Sequence, residues 1–174
     1  MALDVYGLTR RRDAATLNQF VDEYVDRVAS ANRGDEELIL KPLDAQSAGW
    51  ERVPARSNDH ILEVGLSYPR RAFVAYFTAL SKHHQTGIER VIVGFTQDNQ
   101  LALGLSVYGG QSGDSKDDED YHELRARMVL ARIVETYDCH IGLILLESPP
   151  PASEREFRHA EAHLPVDFLA IYGE

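Results

Sequence analysis

Ile88-Glu-Arg-Val-Ile-Val-Gly-Phe95 and Leu101-Ala-Leu-Gly-Leu-Ser-Val-Tyr108, joined by Thr96-Gln-Asp-Asn-Gln100, decide how this chain is read. Both runs are apolar and rich in β-branched residues, and the five polar residues between them carry turn chemistry. Together they predict an antiparallel hairpin. A third run, Ile141-Gly-Leu-Ile-Leu-Leu146, is continuously apolar, as a central strand covered on both faces should be.

Working outward, Asp13 to Ala31 places Leu17, Phe20, Val21, Tyr24, Val25 and Val28 at three- and four-residue intervals, with Asp22, Glu23, Asp26 and Arg27 between them. That spacing predicts one amphipathic helix, stopped by Asn32-Arg33-Gly34. Short strands are expected at Ala2 to Leu8, Glu37 to Lys41 and Trp50 to Val53. His60 to Leu66 reads as a strand, followed by a helix that starts at Ser67-Tyr-Pro69 and aligns Phe73, Tyr76, Phe77 and Leu80. A long helix from about Glu119 to Tyr137 carries apolar residues spread too widely for one stripe, so it is expected to be well covered. Ser153 and Glu156 form a capping box for a short helix to about Leu164, and Pro165 precedes a last strand, Val166 to Tyr172.

This order predicts an α+β single domain over residues 1–174: a mixed, mainly central sheet of six or seven strands flanked by about four helices. The alternation of strand and helix in the last third favours parallel neighbours beside the antiparallel hairpin. A chain of 174 residues, 44% hydrophobic, can bury most of its unfolded surface in one core. No basic leader or membrane-length apolar run occurs, and the single Cys139 cannot form an internal disulfide, so a soluble cytoplasmic protein is expected.

Catalytic and cofactor signatures are missing. Gly109-Gly-Gln-Ser-Gly113 follows a strand but matches neither a P-loop nor a dinucleotide fingerprint. Ser106 and Ser112 do not complete a hydrolase elbow. His159 and His163 share a helical face without the further ligands that zinc needs, and the acidic run lacks EF-hand spacing. Cys139 reads as a packed thiol, and His83-His84 as favourable charges beside a helix carboxyl end. Arg10-Arg-Arg12 reads as the solvated start of a helix. The expectation is therefore no metal and no cofactor.

Charge speaks more clearly. The formal net charge is -10, and five of the seven residues from Asp114 to Asp120 are acidic. Such a field repels phosphates and acidic membranes and attracts basic surfaces, which argues against nucleic-acid and membrane partners. The composition predicts a non-catalytic binding protein that neutralises or sequesters a basic protein, in the manner of a bacterial immunity protein facing its toxin. Its expected contact residues are Asp114, Asp117, Asp118, Glu119 and Asp120, with Asp22, Glu23 and Asp26 as a second group. A different class is an enzyme or small-ligand binder with a site at the carboxyl ends of the strands, where Glu147 is the candidate acid or base and His140 and Tyr108 its companions. A scaffold or assembly subunit, a third class, would show an exposed apolar patch.

Overall fold

The computed structural model describes residues 2–31, 39–44, 53–54, 57–109 and 116–162. Among these residues seven strands form one sheet: β1 (Ala2–Thr9), β2 (Ile39–Pro42), β3 (Val53–Pro54), β4 (Phe73–Thr78), β5 (Ile88–Phe95), β6 (Leu101–Tyr108) and β7 (Cys139–Leu146). Their spatial order is β3-β2-β4-β5-β6-β1-β7. Every described pairing is antiparallel, so the class is α+β and the parallel neighbours suggested by the late alternation do not occur among the described residues. β1 lies between β6 and β7, so the helical crossover that follows β6 brings β7 back in the same direction as β6 but pairs it antiparallel with the inserted β1. The predicted hairpin is β5 and β6, its turn closed by Thr96 N–H donating to the Gln100 carbonyl, with Asn99 in the left-handed region at φ 62.

Among the described residues, five α-helices and one short 3-10 helix (Ser81–Thr86) accompany the sheet: α1 (Ala14–Tyr24), α2 (Arg27–Ala31), α3 (Asn58–Ser67), α4 (Lys116–Thr136) and α5 (Glu154–Ala162). Side chains from α1, α3 and α4 meet one sheet face in a core containing Val5, Phe20, Phe77, Val93, Leu103 and Ile133. On the other face Phe157 of α5 closes over Tyr6, Leu8, Ile92, Ala102 and Leu143.

The expected helix over residues 13–31 is broken at Val25. Asp13 caps its start by accepting from Thr16 N–H at 2.9 Å, but Val25 is extended and Asp26 N–H donates to Thr78 O, so the sheet pulls the chain out of the helix. Asp26 then caps α2 by accepting from the Val28 and Ala29 N–H groups, and Val28 ends 72% exposed rather than in the core.

Residues 57–80 reverse the sequence expectation. His60 to Leu66 is helical because Ser57 accepts from His60 N–H at 3.1 Å and Asp59 stands in the first turn, a capping signal that precedes the apolar run. Pro69 occupies a turn closed by Arg71 N–H on the Tyr68 carbonyl, and Phe73–Thr78 is a strand. Its 73/76/77 spacing imitates a helix because both sheet faces are covered there, which erases the two-residue period. The aromatic and β-branched composition is what favours the strand. The last predicted strand, Val166 to Tyr172, as well as Trp50 and Asn32-Arg33-Gly34, lies outside the described residues.

Arg12 is no solvated helix start. Its guanidinium donates to the carbonyls of Gly65, Tyr68, Arg71 and Thr96, tying the carboxyl end of α3 to the end of β5, while Arg10 remains exposed beside Asp138. Burial without a carboxylate lowers the Arg12 pKa to about 10.

Candidate functional site

The two acidic groups occupy different settings. Asp22 and Asp59 both pair with Arg27, and Glu23 gathers Lys82 and Arg132 at 3.6 Å. Asp26 is engaged in capping α2. The charges of this group are thus largely compensated within the fold. Asp114 lies outside the described residues. Asp117, Asp118, Glu119 and Asp120 fall within the first five residues of α4, which begins at Lys116 rather than near Glu119. Carboxylates at that end of a helix favour its positive pole.

α4 presents two lines of side chains. His122, Ala126, Leu130, Ile133 and Tyr137 are buried against the sheet, and His122 Nε2 lies 2.7 Å from the Val107 carbonyl, fastening the helix start to β6. On the opposite side Tyr121, Leu124 and Met128 stand 62%, 55% and 66% exposed. This overturns the expectation that the helix is covered all round. The wide apolar spread arises from two lines, one inward and one outward, and separating them by the 122/126/130/133/137 period was the signal available in the sequence. Arg125 lies over the Tyr121 ring at 5.0 Å.

A second constellation arises from register alone. Thr78, Arg90, Ser106, Asp4 and Leu145 are directly opposite one another across β4, β5, β6, β1 and β7. This row lies at the carboxyl ends of β4, β6 and β7, on the face that α5 covers farther along. The next row, Tyr76, Ile92, Gly104, Tyr6 and Leu143, is largely buried. Gly104 is required there, because a Cβ would stand 2.5 Å from the Tyr6 ring. Tyr6 donates its hydroxyl to the Ser148 carbonyl at 2.6 Å. Asp4 is 7% exposed and accepts from Ser106 Oγ at 2.5 Å. Burial raises its pKa, opposed by the Ser106 hydrogen bond and the positive charge of Arg90.

Of the candidates for the carboxyl-end site, Glu147 reaches this constellation: its carboxylate accepts from Ala2 N–H at 2.9 Å, and its backbone takes φ 43 to do so. Tyr108 is paired opposite Ala2. His140 is not with them. It sits at the far end of β7, 3.4 Å from Glu154, whose pKa falls to about 2 through hydrogen bonds from Gln100, Arg158 and His140. Cys139 is buried, and burial pushes its thiol up to about 12, an unreactive setting. His83 contacts the Tyr24 ring and the Glu23 carbonyl rather than solvent. His159 is described and exposed, but His163, Ser112 and positions 110–113 are outside the described residues. Among the described residues no group of three His, Cys, Asp or Glu could hold a metal ion, and no helix is long and apolar enough to cross a membrane. No protein-family model matches the chain, nor does any curated protein or solved structure.

Proposed function

We propose that this chain is a non-catalytic cytoplasmic binding protein that neutralises a basic protein, as an immunity protein does a toxin domain. The observation that carries this reading is the outward line of α4: Tyr121, Leu124 and Met128 exposed on a helix whose first turns hold Asp117, Asp118, Glu119 and Asp120. Protein interfaces combine a few large apolar or aromatic anchors with a charged rim, and the rim sets partner choice and association rate. Three neighbouring large side chains held in water by a helix anchored through His122 supply the anchors. The acidic turns supply a rim suited to Lys and Arg.

The test uses three baits with an extract of the source organism: the native chain, a chain with Asp114, Asp117, Asp118, Glu119 and Asp120 changed to Asn or Gln, and a chain with Tyr121, Leu124 and Met128 changed to Ser. The expected result is a basic protein retained by the native bait, lost from both variants and released by rising salt. Retention of the same partner by both variants with unchanged salt dependence overturns the proposal. The same apolar line favours a second reading, an assembly subunit. Sedimentation showing an oligomer of this chain that the triple Ser variant disperses would replace the first reading by the second.

A further inference from the structure

The polar row across the sheet has a cationic end. Lys41 Nζ stands 5.5 Å and Arg90 Cζ 5.8 Å from the centroid of the Tyr76 ring. Lys41 and Arg90 are both exposed, and Tyr76 between them is half-buried. The placement follows from register: Lys41 pairs with Val74 and Arg90 with Thr78, so each lies diagonal to Tyr76, one on either side. Among the other described cations, Arg27, Lys82, Arg127, Arg132 and Arg158 each meet a carboxylate. Lys41 and Arg90 form no ion pair with a described carboxylate. In a chain with 28 acidic and 18 basic residues, two cations converging on one aromatic ring without such a partner stand out.

Asp4 does not fill that role. Its oxygens are turned to Ser106 Oγ and to the Ser148 backbone, and Arg90 acts on it only through the field. No described hydrogen bond consumes the Arg90 N–H groups, which leaves a planar fork of donors at the surface beside a lysine ammonium. Tyr76 adds a flat ring between them and belongs to the largely buried row of Ile92, Gly104, Tyr6 and Leu143.

We infer that Lys41, Tyr76 and Arg90 form a binding site for the oxyanion of a small molecule, a phosphate ester or a carboxylate. The guanidinium takes two oxygens in a bidentate pair, the ammonium contributes a point charge from the other side, and the Tyr76 ring supports the body of the ligand. The site lies on the sheet, whereas partner recognition is assigned to α4, so each stands or falls without the other.

Two probes, inorganic phosphate and malonate, are titrated at matched ionic strength while side-chain and amide resonances are followed by NMR. Saturable shifts at Lys41, Tyr76 and Arg90 are expected with one or both probes. Response to phosphate alone identifies a phosphate ester, and response to malonate alone a carboxylate. Lys41→Met/Arg90→Met should weaken binding about tenfold or more, Arg90→Lys should fall between it and the native chain, and Lys82→Met should leave binding unchanged. Because the two positions are exposed, a well-dispersed amide spectrum of the double variant is expected. Lack of saturable shifts with either probe, or equal binding by the double variant, overturns the inference.

Discussion

The two faces of the sheet are built from the same alternating strands but closed differently. On one face α1, α3 and α4 cover the strands with a continuous apolar core. On the other, α5 and Phe157 cover a smaller cluster, and the row containing Arg90, Ser106 and Asp4 is polar. A residue's fate thus depends on its parity along the strand as much as on its type: Val5 and Val91 enter the large core, while Asp4 and Arg90 beside them face the polar row. The large core sustains the fold, and the partly closed face has room for chemistry.

The sharpest way to break this contrast is to empty each core in turn. Phe20→Ala is expected to lower stability by about 4 kcal/mol in urea unfolding and to raise hydrogen exchange throughout the sheet. Phe157→Ala should cost less, about 3 kcal/mol, with exchange concentrated in α5. If the second variant loosens the whole molecule as the first does, the faces are not energetically distinct.

Acid and base titration sharpens the contrast within the smaller face. Burial holds the folded Asp4 pKa above 3.8, so its contribution to stability is complete below that value and is lost as pH rises through the folded pKa. Glu154 has the opposite sign: its folded pKa is about 2 against 4.5, so its contribution is present above 4.5 and is lost as pH falls toward 2. Asp4→Asn should therefore flatten the decline on the rising-pH side, and Glu154→Gln the decline on the acid side. The Glu154 effect is expected to be about 1 kcal/mol after allowance for solvent screening, and both are read from unfolding midpoints across pH. Slopes of the same sign for the two sites would contradict the assignment. The smallest stability change belongs to α4: Tyr121→Ser, Leu124→Ser and Met128→Ser together should shift unfolding by about 0.5 kcal/mol or less, because those side chains already face water. A loss several times larger would mean that the outward line packs within the protein.

What the sequence disclosed follows from how local its signals are. The β5–β6 hairpin and the body of α4 each declare themselves within one window, through turn chemistry or a helical period. The apolar run of β7 marks a strand too, but not the central one it predicts, because among the described residues β7 lies at the sheet edge beside β1. Residues 57–80 misled because Ser57 capping was hidden beside an apolar run and because Phe73, Tyr76 and Phe77 happen to share a helical spacing. The polar row could not be read in advance: positions 4, 90 and 106 become neighbours only once β1 is known to lie beside β6. Glu147 was a legible candidate because it ends a strand. His140, its expected companion, proved to belong to the opposite end of that strand.

The placement of β1 between β6 and β7 also bears on how the protein comes into being. Asp4 meets Ser106 at a separation of 102 positions, and Ala2 meets Glu147 at 145. During synthesis β1 therefore waits for β6 to emerge before one edge is paired, and longer, for β7, before the other is. Native pairings so distant along the chain delay folding and lengthen the interval in which that strand is open to aggregation or to a chaperone.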